Sequence, residues 1–329
     1  MIACMSAAAG TERSVRGVFP HEASPVSKPA SSDPVLYGGQ AVIEGVMMRS
    51  PKHASVAVRR ADGSIETTVR SAEPWLNRHP FLNRPLLRGV FALFDALKIG
   101  VWGLRWSAER AALDVEPEKP SEPNKATDAA IVGTMLVGLA LGVALFIALP
   151  TLIAGWIPHT LSHAARNILE GIARLTIFFL YLALIGRMEG IHRVFAFHGA
   201  EHRVINSYEA GAELTPEACR PYPVTHPRCG TSFAIFVLIL ATISHTFLGW
   251  QVWWARIAVR LALLPLVAAV SYELLRFSAK YPESALAKLV TWPGICFQSL
   301  TTREPDSEQV EVAIVSLQTA MSADEAATA

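Results

Sequence analysis

His198, Glu201 and His202 form an H-x-x-E-H pattern inside a stretch dense in ligand-type side chains, Glu189 to Asn206. On a helix His198 and His202 lie about 40° apart and one turn up, so two imidazoles can reach one metal ion. Glu201 falls on the adjoining flank, where a carboxylate can serve as general base toward a metal-held water. This order of residues is that of the inverted zincins. Val204, Ile205 and Tyr208 give the helix an apolar side, and Gly211 can end it. A plainer reading makes both histidines interfacial or hydrogen-bonded groups.

A second cluster, His226-Pro-Arg-Cys229-Gly, follows within the same segment. Its Pro and Gly favour a tight loop, so that His226 and Cys229 can face one ion. A cysteine in a reducing compartment stays free to ligate as thiolate. His198, His202, His226 and Cys229 are therefore the candidate ligands of a divalent metal, and zinc suits nitrogen and sulfur donors. The alternative for Cys229 is a small buried residue at a helix entry. Two carboxylates are further candidates. Glu273 is placed downstream, where inverted zincins take a third ligand, or it forms a salt bridge with Arg276 or another membrane-facing Arg. Glu44 interrupts the apolar run Gln40 to Arg49 and either reaches the site or caps backbone donors in a turn beside Gly45. The chain has no G-x-x-x-x-G-K-[ST] loop, no G-x-S-x-G elbow and no G-x-G-x-x-G.

The elements that must position these groups follow from composition. Of 329 residues, 51% are hydrophobic and 17% charged, against about 25% charge in soluble domains. This excludes a disordered chain and argues against one ordinary soluble domain. Four cysteines are too few for a disulfide scaffold. A net charge of +1, without an aromatic-basic surface, gives no reason to expect a nucleic-acid partner.

The apolar residues gather in four segments near the length of about 20 that crosses a bilayer. They run Ala129 to Ile157, with Pro150; Ile168 to Met188, with Glu170 and Arg174 one turn apart; Ser232 to Trp250, with His245; and Ile257 to Phe277, with Arg260, Pro265 and Glu273. In a helix from Leu86 to Arg110, the charges Arg88, Asp95, Lys98 and Arg105 share a sector of about 100°. That helix suits either the membrane surface or a place beneath a cytoplasmic domain. Before it, Ser55–Val58 and Ile65–Val69 flank Asp62-Gly63, a hairpin signal, and Gly38–Ile43 offers a third strand. The tail Gln309 to Ile314 suits a strand or the start of a helix through Glu325.

Lys and Arg crowd the loops before the first span, between the second and third, and after the fourth. This bias places both termini and residues 189–231 in the cytoplasm. Met1 to Ala9 is too short for a signal region. The expected fold is a mainly α integral membrane protein with about four transmembrane helices, an amphipathic helix and a small cytoplasmic β-hairpin segment. Its parts are a disordered N-terminus (1–35), a β-containing segment (36–75), and the amphipathic helix with a linker (76–126). A four-helix membrane domain with the cytoplasmic 189–231 insertion (127–280) and a cytoplasmic C-terminal tail (281–329) complete it.

Four blocks closely resemble the bacterial YqhQ-type family. They are Gly38 to Pro51, His198 to His202, His226 to Ser232, and Leu300 to Pro305 followed by Glu311 to Ile314. The resemblance covers roughly Tyr37 to Ile314. It implies a bacterial inner-membrane protein of a family of unknown function, described as predicted metal-dependent membrane proteins. Three readings are open: a metal-dependent membrane hydrolase with Glu201 as base; a non-enzymatic partner of another membrane protein complex with a structural metal; and a transporter built on His245, Arg260 and Glu273.

Overall fold

The structure, a computed structural model, describes residues 37–115, 125–249 and 252–327. The expected disordered N-terminus, 1–35, and most of the linker at 117–125 lie outside the described residues. Four strands form an antiparallel meander in chain order: β1 (Gly38–Val42), β2 (Gly45–Arg49), β3 (His53–Arg59) and β4 (Ile65–Ser71). The Asp62-Gly63 turn joins β3 to β4, with Gly63 at φ 85°. Glu44 takes φ 52° in the tight turn between β1 and β2, a left-handed conformation uncommon outside glycine. The sheet thus holds the expected hairpin, the expected third strand and one strand more. β2 and most of β3 are buried on both faces, so neither shows the apolar–polar alternation that betrays a half-buried strand.

Among the described residues, eight longer helices accompany the sheet. They are α1 (Leu87–Val115), α2 (Lys125–Val143), α3 (His163–Ile185), α4 (Glu189–Glu209), α5 (Gly230–Thr246), α6 (Trp253–Lys280), α7 (Ala285–Thr301) and α8 (Ser307–Ala326). The chain continues from α2 through a π-helical segment, Ala144–Ala148, and a short α-helical piece, Leu149–Ile153. Pro150 accounts for the irregularity: it lacks an N–H and its ring crowds the carbonyl four residues back. That carbonyl, of Phe146, accepts instead from Nε of Arg174 at 2.9 Å. Among the described residues, three helices are long and apolar enough to cross a membrane: Leu136–Trp156, His163–Ile185 and Trp253–Lys280. The segment expected as a further span forms the apolar α5, which at 17 residues is about 25 Å long.

The sheet is covered on both sides. On one face Ile99, Trp102 and Trp106 of α1 pack against Val42, Met47, Val56 and Val58. The same helix meets the bundle, where Gly89 lies against Ala269 and Tyr272 of α6. α1 is therefore packed beneath the sheet, although Phe94 and Leu97 stay exposed on its far side. On the sheet's other face lies the main core, where Val46, Met48 and Ala57 meet Phe197, Ala200 and Val204 of α4 and Val312, Ala313 and Leu317 of α8. The tail is a helix, opened by a capping box between Asp306 and Gln309. Ser55 Oγ donates to the Ser316 carbonyl at 2.6 Å, pinning α8 to β3. Leu317→Ala removes a fully buried side chain where three elements meet. We expect a loss of about 2–5 kcal/mol, read as a lower melting temperature of the detergent-solubilised protein. An unchanged melting temperature contradicts this packing.

Candidate metal centre

α4 buries Ala200 and Val204 against the sheet and turns His198, Glu201 and His202 toward the junction of the sheet layer with the helical bundle. Close backbone contacts hold it there. The Arg303 amide donates to the Phe195 carbonyl at 2.9 Å. A Cβ on Gly199 would stand 2.1 Å from the Arg303 carbonyl oxygen. On the other side, a Cβ on Gly39 would stand 2.4 Å from the Met47 carbonyl and 2.9 Å from Cγ of Glu201. Only glycine lets the 303 segment lie on α4 and β1 lie over Glu201.

Both histidines are anchored by the same ring atom. His198 Nδ1 is 2.8 Å from the carbonyl of Thr301, at the end of α7. His202 Nδ1 is 2.8 Å from the carbonyl of Val224, in the loop before α5. A carbonyl only accepts, so each Nδ1 carries a proton and donates it. In the neutral rings the lone pairs then sit on Nε2, the pattern by which outer hydrogen bonds orient metal-binding histidines. His198 Nε2 lies 3.2 Å from Sγ of Cys229 at the N-cap of α5. The two imidazole centroids are 4.4 Å apart. The ligand atoms of His198, His202 and Cys229 all lie within 4.8 Å of one another. Ligands of one zinc ion stand about 3.4–3.6 Å apart, from metal–nitrogen and metal–sulfur lengths of about 2.0–2.1 and 2.3 Å. Drawing the group onto an ion takes a shift of about 1 Å at most.

His202 Nε2 is buried and has no hydrogen-bond partner, in a residue only 2% exposed. Its nearest charged neighbour is Oε2 of Glu201, at 3.4 Å. Burial pushes the Glu201 carboxyl above its usual range, against the pull of His198, His226 and the Gly39 amide. Glu201 thus borders the three-ligand group with its carboxylate on the His202 side.

The other expected residues stand apart from that group. His226 is close, its ring 6.0 Å from that of His202, but its Nδ1 accepts from the Arg228 amide and its Nε2 faces Glu209 at 3.6 Å. Burial acts to raise the Glu209 carboxyl, yet hydrogen bonds from His226 and Arg228 hold it down at about 2. Glu44 pairs with Arg193 of α4, its Oε1 accepting at 2.8 Å. Glu273 pairs with Arg88 of α1 at 2.7 Å rather than with Arg276 or the His/Cys group. Several residues escape sequence reasoning. Gln298 of α7, fully buried, accepts from the His226 amide and donates to the His226 carbonyl, both at 2.8 Å, which fixes the loop carrying Cys229. Its signal is a lone amide in an otherwise apolar helical run. The carbonyls of Thr301 and Val224 carry no side-chain signal at all.

Gly199→Ala forces α4 and the 303 segment apart, at a cost of about 1–3 kcal/mol. It also shifts His198 relative to Thr301. Gly190→Ala, on the same helix with nothing within 4 Å of its Cβ, serves as the control. Thermal melts of the two variants should separate them. Equal stability would contradict the close approach.

Comparison with known proteins agrees on one family. The model of a protein of unknown function, DUF1385, matches residues 84–323. The chain is 34% identical over 294 residues to the uncharacterized protein YqhQ of Bacillus subtilis (strain 168), covering 86% of this chain and 91% of that one. No solved structure matches. A family match over most of the chain, joined to a relative this similar across nearly its whole length, identifies the protein as a member of the DUF1385 family, of YqhQ type.

Proposed function

We propose that this protein is a metal-dependent membrane enzyme of hydrolase type. A divalent cation, best zinc, is held by Nε2 of His198, Nε2 of His202 and Sγ of Cys229. The observation that carries the reading is the buried, partnerless Nε2 of His202 beside two further donor atoms of the right chemistry. A buried polar atom is expensive to leave unpaired, and a cation satisfies it. Three protein ligands with a fourth position open is the pattern of catalytic rather than structural zinc. When bound, the ion supplies a Lewis acid and acidifies water. Glu201, whose Oε2 lies 3.4 Å from His202 Nε2, would be the base for a water activated by such an ion. His226, Arg228 and Glu209 form a hydrogen-bonded rim beside it. The substrate class is a peptide bond near the bilayer or a lipid-linked group, reached from the membrane surface.

The same proposal sets the protein in the bacterial inner membrane. The three long apolar helices and α5, at the short end of the spanning range, make four passes. The Lys and Arg bias then puts both termini and the metal centre on the cytoplasmic side.

One distance favours a second reading. Glu201 Oε2 lies 3.4 Å from His202 Nε2, which is also the spacing of two ligands on one ion. Were Glu201 the fourth ligand, the site would be closed and structural, and the protein would be a partner of another membrane complex. Glu201→Gln separates the two. As a base, Glu201 is dispensable for binding, so the variant keeps its zinc with little change in affinity but fails to restore function to a deletion strain. As a ligand, its loss weakens zinc about tenfold or more. A variant that keeps both zinc and function removes Glu201 from the chemistry and overturns the hydrolase reading.

A further inference from the structure

α1 is apolar on two sides. One side, with Ile99, Trp102 and Trp106, is covered by the sheet. The other is bare. At 100° per residue Leu87, Leu93, Phe94, Leu97 and Leu104 share a sector of about 120°, and all five are exposed. Phe94 and Leu97 keep 63% and 60% of their surface in the open. Lys98 and Arg105, exposed as well, follow at the edge of that sector. The segment before α1 adds two exposed rings, Trp75 and Phe81. The Trp75 amide donates to Asp95 Oδ2 at 2.7 Å, which folds that segment onto the helix. An exposed apolar stripe rimmed by polar residues marks a contact with a protein or a membrane.

The place where α1 meets the bundle says which. Gly89 lies against Ala269 and Tyr272 of α6. The Leu86 amide and Nε of Arg88 both donate to Glu273, at 3.3 and 2.7 Å. These α6 residues stand 16–20 positions beyond Trp253, where the helix begins, which is about 24–30 Å along its axis. Trp253 and Trp254 expose their rings at that beginning, as aromatic residues do where a helix enters the hydrocarbon. The hydrocarbon core is about 30 Å thick. A bilayer with one boundary at Trp253 therefore has its other boundary where α1 begins. The charges agree with that level. Arg84 and Lys98 are exposed and form no ion pair among the described residues, and basic groups at a membrane surface meet anionic headgroups.

We propose that α1 is a membrane-surface helix that lays this stripe into the cytoplasmic leaflet, with Arg84 and Lys98 on the phosphates of anionic lipids. The inference rests on the four-pass placement proposed above. A basic amphipathic helix binds a leaflet through buried apolar area and through attraction to its headgroups, and here the sheet covers the helix from the other side. The sheet in turn brings Gly39 over Glu201. The lipid contact of α1 thus sets the height of the metal centre above the bilayer.

In the full chain, Phe94 is replaced by trifluoromethyl-phenylalanine and the protein is placed in nanodiscs of mixed phosphatidylglycerol and phosphatidylcholine. Fluorine relaxation is then measured with a nitroxide on the lipid or with a paramagnetic chelate in the water. The same label in place of Leu264, exposed on α6, reports a spanning helix. In place of Ser322, exposed on α8 across the sheet from α1, it reports water. The labels at positions 94 and 264 should relax several-fold faster with the lipid nitroxide than with the chelate, and the label at position 322 should do the reverse. Lipid at position 264 with water at position 94 overturns this inference and leaves the four-pass placement standing. Water at both overturns the placement too. Shielding of position 94 from both reagents shows a second copy or another protein on the stripe, and also overturns the inference. The charges are read separately. The wild type should melt several degrees higher in phosphatidylglycerol than in phosphatidylcholine, and the double variant Arg84→Gln, Lys98→Gln should lose most of that difference. No difference in the wild type, or the same difference in the variant, overturns the part given to anionic lipid.

Discussion

The proposed centre depends on two hydrogen bonds from imidazole to backbone. Thr301 and Val224 each present a carbonyl to Nδ1 of a histidine one helical turn from the other. Because a carbonyl cannot donate, these bonds settle the proton on Nδ1 and turn both Nε2 lone pairs toward the same space. Neither carbonyl belongs to α4. One comes from the end of α7 and the other from the loop that leads into α5. The donor set is therefore assembled by tertiary structure, and any shift of α7 or α5 against α4 disperses it.

The fold guards against that shift at several points. Gln298 ties α7 to the His226 backbone and also donates to Ser232 Oγ in the first turn of α5. The Arg303 segment lies on α4 at Gly199, where no larger residue fits. α8 then closes over α4 and over the sheet. The sheet is a filled layer between α1 and the α4–α8 pair, which is why its central strands are apolar or small on both faces.

Much of this is legible in the sequence, for physical reasons. His198, Glu201 and His202 show themselves because a helix converts their spacing into one face, and Cys229 because it sits in a turn-forming His-Pro-Arg-Cys-Gly run. The β3–β4 turn is visible in Asp62-Gly63, since that pair takes the backbone angles a tight hairpin needs. β2 is not, because burial on both faces erases alternation. The carbonyl anchors carry no residue-type signal, and Gln298 gains meaning only when α7 is set beside the loop. Glu44 and Glu273 illustrate a further limit. A carboxylate in an apolar stretch announces that it needs a partner without naming it, and here the partners are Arg193 and Arg88 from distant elements. In the same way Glu170 and Arg174 are legible as a pair, while the arrival of Arg256 and Arg260 beside them depends on how α6 packs.

The proposed centre is tested most directly by the donors that surround the ion. X-ray absorption at the zinc edge of the zinc-loaded protein counts donors by type and measures their lengths. The proposed centre should show one sulfur at about 2.3 Å with two imidazole nitrogens at about 2.0–2.1 Å, the remaining position filled by oxygen. A shell of nitrogen and oxygen alone, without sulfur, would contradict it.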